Sequence, residues 1–180
     1  MVRLQLLTGM RPGEAVIMRA EDIDREHDIW VYRPATHKNA HRGHERAVYI
    51  GPQGQQVLWP FLQGKGQGAL FSPREAEEER NERKRKGKDK AGRRKGRKAP
   101  RWLEQYDVAS YRRSIRRACE RAEIEPWSPH RLRHTSATRI RQQFGIEAAR
   151  VILGHRSAAV TEIYAEIDKE KALQVMQSVG

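Results

Sequence analysis

The run from Ser128 to Arg139, S-P-H-R-L-R-H-T-S-A-T-R, constrains the chain more than any other stretch. Pro129 suits the first turn of a helix, because its missing N–H would have no intrahelical partner there, and Ser128 before it is placed to cap. On that helix His130 and Arg133 are three residues apart and share a face, with His134 one turn beyond His130. Such a pair at a helix start suits a bound phosphate, since arginine forks onto its oxygens and the helix dipole favours an anion. A plain basic surface helix would use the same residues. This run alone leaves both readings open.

The chain has 180 residues, enough for one sizeable core, so a single domain spanning 1–180 is expected. Its formal net charge of +13 and pI near 10.4 point to a polyanionic partner, nucleic acid first. The surplus is concentrated. Between Arg80 and Arg101 stand 13 Lys or Arg against two acids, Glu82 and Asp89, and the remainder is close to balanced. The lone cysteine, Cys119, excludes an internal disulfide and a thiolate metal cluster, and it falls on the apolar side of a predicted helix. No apolar run approaches 18 residues and no signal peptide is visible, so a cytoplasmic protein without a membrane partner is expected.

Taken in order, Leu4, Leu6 and Leu7 read as the end of a helix stopped by Gly9, and Pro12 starts another that runs to about Arg19. The first helix has almost no lead-in, which suggests that something precedes Met1. Asp28–Arg33 and Glu45–Ile50 are β-branched and aromatic runs flanking a polar loop with Gly43, a predicted β-hairpin with a long basic tip. Pro52 to Leu62 reads as a helix closing on Gly64, and Ala69 to Phe71 as a short extended piece pinning the next segment to the core. From Pro73 to about Arg101 the low-complexity sequence cannot offset its ordering entropy by apolar burial, so it is expected to be mobile or only partly helical.

Order resumes at Val108–Ala122, where Val108, Tyr111, Ile115, Ala118 and Cys119 form an apolar stripe flanked by arginines. The Ser128 helix follows to about Phe144, is broken by Gly145, and gives way to a short helix from Glu147 to Leu153 ending at Gly154. A further helical piece carries Tyr164, and Asp168 is placed to cap a last helix with Leu173, Val175 and Met176. The expected fold class is mainly α with a small antiparallel β-sheet (α+β).

Three spaced signals now stand together: T-G-M-R-P-G-E around Arg11, H-R-L-R-H-T-S-A-T with His130 and Arg133, and L-G-H-R-S followed by T-E-I-Y-A, with His155 nine residues before Tyr164. In this order they resemble the catalytic domain of the tyrosine recombinases, the phage-integrase and Xer-like family, across nearly the whole chain outside residues 73–101. The resemblance implies a site-specific DNA recombinase that cleaves and rejoins double-stranded DNA through a 3′-phosphotyrosine, with no metal or cofactor. It implies that Arg11 and Arg133 grip the scissile phosphate, that His130 bonds it and serves as a base, and that His155 contacts a phosphate oxygen. Lys38 matches the hairpin lysine that protonates the leaving 5′ oxygen, and Tyr164 matches the nucleophile. A homotetramer on DNA, with a monomer when free, is also implied.

The chemistry of these residue types is consistent with those roles. A phosphodiester is an anion, and two guanidiniums neutralise its non-bridging oxygens increasingly as charge builds in the transition state. A tyrosine hydroxyl, with a reference pKa of about 10, needs nearby cations or a base to release its proton. A leaving alkoxide needs a proton donor, which a lysine supplies. Lys38 is the only lysine of the hairpin, although Arg42 and Arg46 offer substitute cations; His37, His41 and His44 crowd the same loop with a spacing that fits no compact metal site. Tyr106 and Tyr111 are the competing hydroxyls, but neither has a histidine at the family's distance.

Two departures from the family pattern are expected to bear on DNA affinity: the N-terminal clamping domain usual in the family is not among these 180 residues, so that a fragment, a remnant or a clamp upstream of Met1 is implied, and the basic insert stands in a connection that is usually short. Three other functions remain as alternatives: a decayed, non-enzymatic DNA-binding remnant, a type IB topoisomerase-like nicking and resealing enzyme, and an RNA-binding module built on the insert. Against decay, none of the six site residues is lost.

Replacing Pro73–Arg101 with a short linker is expected to leave the fold intact, weaken DNA binding and flatten its dependence on salt, because each phosphate neutralised adds to that slope. Binding titrations at several salt concentrations check this; an unchanged affinity and slope would make the insert a solvated spacer.

Overall fold

The computed structural model describes residues 1–36, 46–63, 68–86 and 104–154. Lys38, His155 and Tyr164, the hairpin tip with His37, His41, Arg42 and His44, and the predicted helices beyond Gly154 lie outside them. The described elements are six helices, α1 (Val2–Thr8), α2 (Pro12–Val16), α3 (Pro52–Leu62), α4 (Pro73–Lys86), α5 (Val108–Arg121) and α6 (Pro129–Leu153), with three short strands, β1 (Ile23–Asp24), β2 (Trp30–Tyr32) and β3 (Val48–Ile50). The mainly helical fold with one small antiparallel sheet is as expected.

The strands form one sheet in the order β1-β2-β3, with Trp30 opposite Ile50 and Tyr32 opposite Val48. Trp30, Tyr32, Val48 and Ile50 face inward, while Val31 and Tyr49 alternate away, the period-two pattern of a half-buried hairpin. β1 escaped the sequence because two residues are too few to show alternation. The inner face packs with Leu4, Met10, Met18, Leu58 and Leu70 into the main core, whose buried members among the described residues lie between residues 4 and 71. Leu70 is held there as expected: its amide donates to the Met18 carbonyl at 2.8 Å, beside a bridge between Arg19 and Ala69. That extended pairing also explains why α2 stops at Val16 instead of reaching Arg19.

α5 adds a second cluster, Tyr111, Ile115 and Cys119 against Val16. The stripe is narrower than expected: Val108 is 45 % exposed and Ala118 also faces outward. Asp107 caps α5 by accepting from the Ser110 amide. Ser128, by contrast, makes no side-chain cap on α6, whose start rests on Pro129 and the backbone. α6 carries the expected break, since Gly145 has φ 87° and ψ 173°, outside the helical region.

The first part of the insert is ordered as α4. No apolar face drives it; instead Arg74 pairs with Glu78 one turn on, Arg80 with Glu77, and Arg83 with Glu79, the spacings at which helical side chains meet.

α1 packs against α6 and α3. Buried Gln5 fixes that arrangement, its Nε2 donating to the carbonyls of Met10 (3.1 Å) and Pro129 (3.0 Å) while its Oε1 accepts from the Tyr111 hydroxyl at 3.1 Å. Gly9 ends α1 in the left-handed region at φ 65°, and a methyl group there would come within 2.6 Å of Leu153 Cδ2. Gly9→Ala is therefore expected to cost about 2–4 kcal/mol, combining backbone strain with overpacking. Gly13, on α2 with open space around it, is the control. Gly13→Ala is expected to stay within about 1 kcal/mol of wild type, on the stabilising side. Denaturant unfolding of the two variants checks the difference.

Candidate active site

The tight turn between α1 and α2 sets the first side of the site. Thr8 Oγ1 donates to the Leu4 carbonyl at 2.9 Å, and the Gly9 amide donates to the Gln5 carbonyl at 2.9 Å, so the chain reverses within a few residues. Arg11 emerges from it in an extended conformation as the N-cap of α2. Glu14 holds it at both ends: Oε2 accepts from the Arg11 amide at 2.8 Å and Oε1 from Arg11 Nη1 at 2.9 Å. Arg11 remains 23 % exposed, while Glu14 is 2 % exposed.

Burial pushes the Glu14 carboxyl upward, but Arg46, the Arg11 amide and the Arg11 guanidinium outweigh it and leave the group below the usual carboxylate range. Arg46 donates from Nε to Glu14 Oε1 at 3.3 Å and from Nη1 to the carbonyls of Ala47 (2.8 Å) and Ile152 (3.1 Å). It is 7 % exposed. Arg46 is therefore no substitute for Lys38 at the loop, because its charge is committed inside the fold.

α6 supplies the other side. His130 lies in its first turn, exposed, with its ring edge-on to that of His134 at 4.9 Å between centroids. Arg133 does not share that exposure. It is 2 % exposed, donating from Nη1 to the Gly9 carbonyl at 2.7 Å and from Nη2 to the Leu153 carbonyl at 2.8 Å. Neighbours on α6, the two residues differ in depth because the Gly9 and Leu153 carbonyls draw Arg133 inward while His130 stays at the surface.

Arg11 and His130 line one cleft of about 800 Å3, together with Arg112, Tyr106, Asp107 and Ser128. Pro12, Val16, Ile17 and Val108 give it an apolar flank, which accounts for the exposure of Val108. An anion entering this cleft meets the Arg11 guanidinium and the start of α6, where the dipole favours negative charge. Three contributors were missed in the sequence. Arg112 was read only as a flank of the α5 stripe. Glu14 stood in plain view three residues after Arg11, the spacing of a helix-start clasp. Arg46 stood in the sequence only as a substitute cation, and its place beside Glu14 carried no signal, since its partners are distant in sequence.

Among the described residues no group of His, Cys, Asp or Glu is arranged to hold a metal ion, and no helix is long and apolar enough to cross a membrane.

Comparison with known proteins sets this geometry among relatives. A tyrosine recombinase XerC of Bradyrhizobium diazoefficiens USDA 110 is 42 % identical over 52 residues, 28 % of this chain and 16 % of that protein. The XerH site-specific recombinase bound to its difH substrate superposes with a TM-score of 0.61 at 19 % identity, over 97 % of this chain and 44 % of that one. The XerA recombinase gives 0.60 at 24 % identity, over 97 % and 53 %. The Tn1549 transposon integrase in complex with circular intermediate DNA gives 0.66 at 15 % identity, over 99 % and 58 %. The chain thus spans about half the length of these solved structures. Residues 1–171 match the phage integrase family as a whole. With that match over nearly its full length, and with the fold of the recombinase catalytic domains, the chain belongs to the phage integrase family of tyrosine recombinases.

Proposed function

We propose that this chain is the strand-transferring part of a site-specific DNA recombinase, acting on double-stranded DNA as a homotetramer. The observation that carries the reading is the cleft shared by Arg11 and His130, with Arg133 buried behind it and anchored to both walls. In this reading the scissile phosphate lies against the exposed Arg11 guanidinium and His130, and Arg133 holds the two walls at a fixed separation around it. Arg112 adds a further cation at the rim.

Tyr164 is assigned as nucleophile. Its phenolic oxygen bonds to phosphorus as the bond from phosphorus to the 5′ oxygen breaks, His130 takes the phenolic proton, and Lys38 gives a proton to the 5′ oxygen. The phosphotyrosine keeps the energy of the broken diester, so attack by a 5′-hydroxyl reverses the step without ATP. The competing tyrosines support this assignment by their surroundings. Tyr111 is buried with its hydroxyl donating to Gln5, and burial pushes it well above the usual range. Tyr106 is also shifted upward, first by burial. Both are poor sources of a phenolate.

Tyr164→Phe is expected to bind DNA normally and form no covalent adduct, because the ring is kept and only the attacking oxygen is lost. A denaturing gel with a nicked suicide duplex, followed by peptide mapping, checks it; an adduct on Tyr106 or Tyr111 would sink the assignment. Lys38→Ala is expected to slow cleavage far more than it weakens binding. A substrate with sulfur at the 5′ bridging position, which leaves without protonation, should restore the rate. Failure of that rescue would move the proton donor elsewhere, His130 being next.

A further inference from the structure

Arg46 lies two residues before β3 and outside the cleft lining, yet it is nearly enclosed. Two helices and the approach to β3 meet on it: its Nε reaches Glu14 of α2, and its Nη1 reaches the Ile152 carbonyl at the end of α6 and the carbonyl of neighbouring Ala47. Gly154, the C-cap of α6 at φ 64°, is packed so closely that a methyl group there would lie 2.8 Å from Arg46 Nη1. Among the described residues the Arg46 Nη2 has no acceptor. A side chain serving only to fill this space would be better apolar, since a buried guanidinium with an unused donor is costly.

The connection from Arg46 leads to the cleft in one step. Glu14 Oε1 accepts from both Arg46 Nε and Arg11 Nη1, so the two guanidiniums share one carboxylate oxygen. The carbonyl Arg46 holds is adjacent in sequence to the Leu153 carbonyl held by Arg133. We infer that Arg46 is a positioning residue for strand transfer, fixing the Glu14 carboxylate that aims Arg11 into the cleft and tying it to the α6 end that leads into His155. This rests on the strand-transfer reading above.

The charged and titratable groups facing Glu14 are Arg11 and Arg46, with the Tyr32 hydroxyl donating to its backbone carbonyl at 2.8 Å. Without Arg46 the Glu14 carboxyl loses the largest influence that lowers it while its burial remains, so the group protonates at a higher pH than in wild type and its hold on Arg11 weakens there. Lysine at the same place keeps the charge and loses the separate Nε and Nη1 donors that reach Glu14 and the two carbonyls at once.

Full-length Arg46→Met and Arg46→Lys are compared with wild type on a nicked suicide duplex, for adduct rate against pH and for DNA affinity by fluorescence anisotropy. Arg46→Met is expected to form adduct roughly ten- to a hundredfold more slowly, with affinity changed by less than about threefold. Its acid limb should move to higher pH, and Arg46→Lys should return the limb to the wild-type position. A purely structural role predicts instead a loss of folded protein with an unchanged pH profile in what remains. If Arg46→Met does not fold, the double variant with Glu14→Gln removes both buried charges and should show the same slow adduct formation without a pH-dependent acid limb from this carboxyl. Independently of turnover, nitrogen-15 spectra of the free chain should resolve distinct Arg11 guanidinium signals that average in Arg46→Met. Unchanged Arg11 signals would overturn the inference whether or not wild type makes an adduct. Averaged signals with an adduct-free wild type would refute the strand-transfer reading and leave the positioning role standing.

Discussion

The fold depends on burying the Arg133 charge between two backbone carbonyls. One belongs to Gly9 at the end of α1 and the other to Leu153 at the end of α6. Both helix ends would otherwise carry unpaired acceptors, and a cation at a helix C-terminus also meets the favourable end of its dipole. The desolvation cost of such a charge is large, so it persists only where its donors are well placed. Gly9 makes that placement possible, because the close approach to Leu153 and Ser136 leaves no room for a side chain. An arginine whose residue type suggests phosphate binding is thus, in the free protein, the bolt between the two walls of the cleft.

Around that bolt the charges are layered. Arg46 lies inside and unexposed, Glu14 between, and Arg11 at the cleft with part of its guanidinium open. A single carboxylate therefore sets the direction of the exposed cation while being held ionised by the buried one. The surface charge of the chain has a different character. Pairs such as Arg74–Glu78 and Arg116–Glu120 are exposed and lie one helical turn apart. These stabilise local helix and are readily screened by salt.

The helices were legible where a chemical rule acts locally. Gly9 and Gly154 in the left-handed region, Pro12, Pro52 and Pro129 at helix starts, and the break at Gly145 are all decided by backbone preferences of the residue itself. The hairpin was legible because its burial alternates along β2 and β3. What could not be read was settled by distant partners. Arg133 shows the limit: its spacing from His130 suggested a shared face, but which residue turned inward depended on Gly9 and Leu153. Arg46 is the same case, with neighbours 32 and 106 residues away. α4 is the helical part of a segment expected to be mobile or only partly helical, and its exposed side chains pair at helical spacing in place of an apolar face.

The main core has a consequence for the order in which the molecule is made. Among the described residues its buried members all lie between Leu4 and Phe71, so that N-terminal portion can condense as it leaves the ribosome, before α5 and α6 exist. The contacts that close the cleft, Gln5 to Pro129 and Arg133 to Gly9, each span 124 residues. Loop-closure entropy makes such long contacts slow to form. An unfinished chain would already carry Arg11 on a folded platform, but the opposing wall arrives only with the last third of the sequence. Nascent and truncated products thereby lack the second wall of the cleft.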